Sequence, residues 1–563
     1  MKRLIRNSYK VLAIMCFCVI TASNMKAQNP IEMYIQSDSL RSLNKLQEAE
    51  HLLVQLSQKN PYNSEHFYLL GEIYNQQEEY EKSITEFKKA QKLGEFGRSN
   101  YYLSCNYVNL GQRDSAVYYL SEHLNTPLNG DHPYNDDVLT DSIFQELSTM
   151  EEFRRLLPPV SADSSSMIEN WITDLTYSST MLKKTHYNPF IKLSEADWDH
   201  TIDQLIADIP KLNEDEIWVR IAQFVTMIGD GHTRMLPSNY NKTKSKDLPL
   251  ITRLFSDGCY IIKTSEEYTD LLGAKILRVE DMKFDDVYKS VCSVIPIDND
   301  MDYRFLFDWE FYKMNTLHGL GICGSIDELE IGYSLNGEIG TRKILSETEE
   351  TFPELISYHD YHNTNNPIFL ENYRKESLKW YWFKYLEEDK ILYVQINSIT
   401  SLEDNPLPEF CDRIKALVDT ADVSAFVFDI RNNGGGNTEL NKHFLSLMLS
   451  ENVNIKGKSF TVIGPNTFSA AQNLTNILEN YTETIFIGEP SGSKPNFIGE
   501  VNPIKLPYTG IIVSSSNLYH QYGYSSDKRI WVAPDVYVAF SFENYKEGID
   551  PVLSQIKAYL KSK

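Results

Sequence analysis

From about residue 380 onward the chain alternates short, almost uninterrupted apolar runs with helical patterns. ILYVQI (391–396), AFVFDI (425–430) and ETIFIGE (483–489) are the runs, and LNKHFLSLML (440–449) and SAAQNLTNILEN (469–480) are the helical segments. A strand that is apolar at every position has to be covered on both faces, which is the situation of a parallel sheet flanked by other layers. A sheet with one wet face would alternate apolar and polar residues instead. Residues 380–563 are therefore expected to form an α/β core with a partly parallel sheet.

The remainder of the 563 residues is long enough for further domains. Residues 167–240 read as mainly helical, in IDQLIADIPKL and IWVRIAQFVTMI, and end near the loop GDGHT. Residues 241–350 carry strand-like runs, including CYIIKT, AKILRVEDM and ELEIGYSL. Within them, LLGAKILRVEDMKFDDV (271–287) resembles the part of a PDZ domain where a strand leads into a short helix. Between about residues 30 and 125 there is an internal repeat. Phe67, Leu70, Gly71, Tyr74, Ser83, Phe87 and Ala90 recur 33 residues later as Leu103, Ser104, Tyr107, Ala116 and Leu120, with Ala49, Leu53, Leu56 and Pro61 one repeat earlier. This spacing resembles tetratricopeptide repeats, so residues 28–160 are expected to be an all-α stack. Such a stack either binds a peptide or partner protein or is a helical appendage. SADSSS (161–166) reads as the linker after it.

The N-terminus has the layout of an export signal. Lys2, Arg3, Arg6 and Lys10 precede VLAIMCFCVITA, and small or polar residues follow to Ala27, which predicts a signal peptide over 1–27 and no transmembrane anchor after its cleavage. Only about five apolar residues precede Cys16, short of the roughly 7–15 of a signal core, so lipoprotein anchoring is the weaker alternative. The expected location is periplasmic or extracellular. A formal charge of −24 argues against a nucleic-acid partner. Cys105, Cys259, Cys292, Cys323 and Cys411 are too scattered for a disulfide framework or a zinc site, and read as isolated buried thiols. No metal or organic cofactor is expected.

Three segments could carry chemistry. In FVFDIRNNGGGN (426–437) a strand runs into three glycines, which let the backbone approach a ligand and turn N–H groups toward developing negative charge. In TVIGPNTFSAAQN (461–473) Ser469 sits where strand and turn give way to a helix, as a projecting nucleophile or as an ordinary N-cap. In MIGDGHTRM (227–235) His232 lies in a small-residue loop, as a general base or as an ordinary hydrogen-bonded histidine.

The series GDGHT, DIRNNGGG, TFSAAQN, IGEPSGSKPNFIGE and APDVYV resembles the family of tail-specific (C-terminal processing) peptidases, tricorn core proteins and interphotoreceptor retinoid-binding protein, over about residues 167–560. The resemblance implies a ClpP/crotonase-like core and hydrolysis of peptides or proteins through an acyl-enzyme on Ser469. It implies an oxyanion hole from the amides of Gly435 and Ala470. It leaves two candidate bases. His232 matches the histidine of tricorn-like members and is preferred, because GDGHT has little structural reason to stand where it does. Lys494, 25 residues after the serine, matches the lysine of tail-specific members, and otherwise assists substrate or oxyanion.

The sequence departs from the family at three places. Gln472 stands where an acid is common, Ile498 stands where lysine-type members carry glutamine, and the histidine-orienting glutamate has no clear match, Asp527 being close but out of register. Retinoid-binding relatives also show that this fold serves non-catalytic binding, so a binding or scaffolding protein is the alternative function. A third reading has the repeats deliver a bound protein to the hydrolase core.

Overall fold

The computed structural model describes residues 30–95, 97–125, 141–156, 166–236, 245–370 and 380–563; the expected signal peptide and residues 161–165 of the linker lie outside them. The chain divides into two compact units, Met1–Leu157 and Pro158–Lys563. Among the described residues no helix is long and apolar enough to cross a membrane.

The first unit is helical. Pro30–Ser42, Leu46–Lys59, Ser64–Gln76, Tyr80–Lys92, Gly97–Asn109 and Arg113–Asn125 follow one another through short connections and pack as successive hairpins. The small residues of the repeat sit where the paired helices touch. A Cβ on Gly71 would lie 2.8 Å from the Phe87 ring, so glycine is what lets that ring lodge against the facing helix. Ser83 Oγ donates to the Gly71 carbonyl at 2.7 Å, and one repeat later Ser104 Oγ donates to Ala116 O at the same distance. The hydroxyl has changed helix but spans the same buried pair of positions.

The second unit is built around three sheets. The central one has six strands in the order β16-β13-β12-β11-β10-β9: Tyr381–Leu386 (β9), Ile391–Ile396 (β10), Ala425–Asp429 (β11), Ser459–Ile463 (β12), Ile485–Gly488 (β13) and Val536–Tyr537 (β16). All neighbours are parallel except β9, which is antiparallel to β10. Every residue of β10, β11 and β12 is buried, and the two faces feed different cores. Leu392, Val394, Phe426 and Phe428 meet the crossover helices Leu407–Thr420, Asn441–Met448 and Ala470–Tyr481. Ile391, Tyr393, Val427 and Phe460 meet the C-terminal helix Pro551–Lys561 and aromatic residues such as Phe255 and Phe542. That double coverage is the physical reason the runs lack alternation.

A second sheet contains Leu250–Phe255 (β2), Gly258–Thr264 (β3), Lys275–Val279 (β4), Glu328–Leu335 (β6) and Glu338–Leu345 (β7) in that order, with Met282–Lys283 (β5) on β4 and Ile356–Ser357 (β8) on β3. Its core is closed by helices Phe284–Cys292 and Asp300–Glu310. The third sheet is small, Arg234–Leu236 (β1), Ile512–Gln521 (β15) and Asn496–Lys505 (β14) in the order β1-β15-β14. Ile504, Leu506, Ile511 and Val513 of this hairpin pack on helices Met167–Thr185, Glu195–Asp208 and Glu214–Thr226. The hairpin thereby ties the GDGHT loop, which runs into β1, to the SGSKP segment, which runs into β14. The five cysteines are buried and unbridged.

Candidate functional site

The site lies at the C-terminal ends of β11 and β12. The end of β11 is fixed by charge. Arg431 grips Asp550 with two hydrogen bonds, 3.1 and 2.9 Å, and bonds Asp429 through Nε at 3.1 Å. The next residues are laced to the loop after β12: Asn466 Nδ2 donates to Asn432 O, the Phe468 amide to Asn433 O, and Thr467 Oγ1 to Ile430 O. Two of the three glycines are demanded by close approach. A Cβ on Gly436 (φ +135°) would stand 2.2 Å from Ile399 O, and one on Gly435 (φ +116°) would stand 2.8 Å from Ser469 Cβ and 3.1 Å from Ala470 N.

Ser469 itself has φ +55° and ψ −122°, a conformation that costs a non-glycine residue about 1–3 kcal/mol. It precedes the 12-residue helix Ala470–Tyr481 yet its side chain makes no capping hydrogen bond. The ordinary N-cap reading therefore does not describe this serine, because a cap has extended backbone and an engaged hydroxyl. The Ala470 amide, at the helix start beside it, has no acceptor among the described residues, whereas the Gly435 amide donates to Asn433 Oδ1 at 2.9 Å. One of the two expected oxyanion donors is thus open, and the other is engaged within its own turn.

His232 is 8% exposed, and its ring stacks between Phe468 (centroids 4.5 Å apart) and Phe497 (5.4 Å). Neither ring nitrogen has a hydrogen-bond partner of ordinary geometry. Burial, with the nearby Arg234 charge adding to it, pushes its pKa down to about 3, so the ring is neutral at physiological pH. Asp527 does not orient it. Its carboxylate bonds the Arg529 guanidinium, which also pairs with Glu479.

The rest of GDGHT has a structural role that sequence reasoning missed. Asp230 Oδ1 accepts the His232 and Thr233 amides (3.0 and 2.8 Å) and the Ser516 hydroxyl (2.6 Å), while Oδ2 meets His186 Nε2 at 2.9 Å. Burial opposes ionisation, but these bonds hold the Asp230 pKa down to about 2. His186 Nδ1 accepts the Asn188 amide, which leaves Nε2 as the donor to Asp230. The motif thus has a clear structural reason to stand where it does, and its placement alone does not single out the histidine.

Lys494 is half-buried, and among the described residues it has no hydrogen bond or ion pair. The Ser493 hydroxyl beside it accepts the Ser469 amide at 3.4 Å. Its electrostatic neighbours are Lys192 and, from a segment not singled out in the sequence, IDNDMD (297–302), the buried Asp298 and Asp302. Gln472, at the position usually acidic in the resembling family, is fully buried; it donates to Asn476 Oδ1, which in turn donates through Nδ2 to Pro495 O. It ties the helix after Ser469 to the SGSKP segment. Only the fold could reveal the acidic pair, because the loops its segment meets, at Gly231 and Ser491–Gly492, are distant in sequence.

No family model matches the chain, and no curated protein sequence matches it. Solved structures do. Mature CPAF complexed with lactacystin aligns over 71% of this chain and all of its own, with 13% identity and a TM-score of 0.50. The photosystem II D1 C-terminal processing protease aligns over 69% of this chain and 96% of its own, with 12% identity and a TM-score of 0.35. A putative peptidase from Parabacteroides merdae ATCC 43184 aligns over 70% and 97%, with 14% identity and a TM-score of 0.35. The chain shares the fold of the CPAF structure.

Proposed function

We propose that this chain is an exported serine peptidase of the tail-specific or tricorn-like kind, with Ser469 as nucleophile on a ClpP/crotonase-like core and tetratricopeptide-like repeats in front of it. The observation that carries the reading is the strained, uncapped Ser469 beside the unused Ala470 amide. Strain of this kind persists where the surroundings over-determine it, and it serves to aim a nucleophile. In the proposed reaction Ser469 Oγ attacks the peptide carbonyl while a base takes its proton, and the Ala470 N–H receives the oxyanion. The second donor comes from the glycine run, by release of the Gly435 amide from Asn433. Collapse of the tetrahedral intermediate breaks the C–N bond and expels the amine, which takes the proton back from that base, and water then hydrolyses the acyl-enzyme.

The base is assigned to His232, whose buried ring is neutral. Lys494 is assigned as an assisting cation, since its charge favours the ionised form of buried Asp298. The substrate is a peptide or protein, and the repeats are assigned to holding a protein partner or substrate. The location outside the cytoplasm rests on the N-terminal segment of the sequence. A fluorophosphonate probe tests the reading. It should label the protein once per chain and fail on Ser469→Ala; undiminished labelling of that variant would remove Ser469 from the mechanism. Absence of labelling and of peptide turnover in the folded protein would favour the binding or scaffolding alternative.

A further inference from the structure

Asp298 leads from the β-rich part of the second unit into helix Asp300–Glu310, and the segment it begins touches the GDGHT loop, the SGSKP segment and Ile530. Asp298 Oδ1 accepts the Gly231 amide at 3.1 Å, one residue before His232. Asn299 Nδ2 donates to Ser491 O (3.1 Å) and Ile530 O (2.8 Å). Asp302 Oδ2 accepts the Asp298 amide at 3.0 Å, and its Oδ1 lies 2.5 Å from where a Cβ on Gly492 would stand. Asp298 is 5% exposed, and its Oδ2 has no hydrogen-bond partner of ordinary geometry. An orphaned carboxylate oxygen in a buried site is costly unless a positive group faces it. Lys494 supplies that charge, with the Ser493 hydroxyl also near enough to favour the ionised carboxylate.

Resting on the reading of Ser469 as nucleophile, we propose that Asp298 is a positioning residue whose carboxylate fixes the His232 loop through the Gly231 amide and acts on the Lys494 charge across the site, keeping both in register with Ser469. The anchor reaches the site from the neighbouring β-rich layer, so one ionisable group is among the bonds that join that layer to the loops of the site. The charged groups around it are Lys494 from the SGSKP segment, Asp230 from the GDGHT loop, Asp302 from its own helix, Arg234 from β1 and Lys192 from the loop before helix Glu195–Asp208. Burial pushes the Asp298 pKa up to about 6, against the pull of Lys494. Protonation below that pH removes the negative charge that acts on Lys494 across the site. His232, held near 3, contributes no transition in that window.

The test is the fluorophosphonate labelling rate of the full chain over about pH 5 to 9 for wild type, Asp298→Asn, Asp298→Glu and Asp302→Asn. Asparagine keeps the acceptor for Gly231 N–H and removes only the charge. The wild-type rate should rise through about pH 6, the value set by Asp298. Asp298→Asn should lose that rise and label roughly tenfold more slowly at neutral pH, with glutamate restoring part of the rise. A wild-type rate and profile in Asp298→Asn would overturn the proposal. A second readout does not depend on Ser469. Reductive methylation of Lys494, followed by peptide mass spectrometry, should run several-fold faster in Asp298→Asn than in wild type, and equal rates would overturn the proposal even where the probe fails to label. Persistent labelling of Ser469→Ala would sink the nucleophile and leave this second readout intact.

Discussion

Three consecutive glycines do three different jobs. Gly434 is exposed, and a Cβ there would meet only Asn466 Oδ1 at 3.4 Å, so Gly434→Ala should leave both the thermal midpoint and probe labelling close to wild type. Gly435→Ala would drive a methyl against Ser469 Cβ at positive φ; labelling should fall at least ~100-fold. Gly436→Ala would strike a backbone carbonyl 2.2 Å away and should cost roughly 3 kcal/mol or more in chemical denaturation. Two buried titrating residues make an opposed pair. His232 has a native pKa near 3, below its ordinary 6.5, so the unfolded chain takes up that proton first, and the stability present above 6.5 is lost as pH falls toward 3. Asp298 has a native pKa near 6, above its ordinary 3.8, so the native state binds the proton more tightly and gains stability as pH falls from 6 to 3.8. Each effect is on the order of 3 kcal/mol at about pH 4, and they offset. Asp298→Asn should therefore make acid denaturation steeper between about pH 6 and 4, and His232→Asn should make it shallower, as read from denaturant midpoints against pH.

At the scale of elements, what the sequence made legible was whatever depended on local pattern. Continuous apolar runs gave the buried parallel strands, and the small and large residues of the 33-residue spacing gave the helical hairpins. The strand-to-helix corner at Ser469 was also visible, although its left-handed backbone was not, because no residue type there requires it. What stayed hidden was carried by tertiary partners. Asp230 looked like part of a histidine motif and is an anchor for β1 and β15 through Thr233 and Ser516. The segment IDNDMD was not singled out, and two of its acids, Asp298 and Asp302, are buried with Lys494 as an electrostatic neighbour. The same reasoning picks out Asp174, fully buried in helix Met167–Thr185. Its carboxylate accepts the Tyr508 and Thr509 amides and the Thr509 hydroxyl, and so captures the turn of the β14–β15 hairpin. Asp174→Ala removes the three bonds its carboxylate accepts from that turn and should cost about 2–3 kcal/mol. Because the hairpin carries the registers of His232 and Lys494, labelling should slow in the same variant even at temperatures where it stays folded.

At the scale of the molecule, the two compact units divide the work in a way that can be separated. Every residue placed in the proposed chemistry lies in the unit that begins at Pro158, and each contact that positions Ser469, His232 or Lys494 is made within that unit. The helical unit has its own core, from Met33 to Phe153. Removal of residues 28–157 should accordingly leave the fluorophosphonate rate and the turnover of short peptides within about twofold of the full chain. If the repeats hold a protein substrate, the same truncation should raise KM for that substrate with little change in kcat, since holding the substrate away from the reacting bond adds binding that is equal in ground and transition states. Equal loss on short peptides and on proteins would instead mean that the helical unit supports the fold or the closure of the site, and the division of labour would fail.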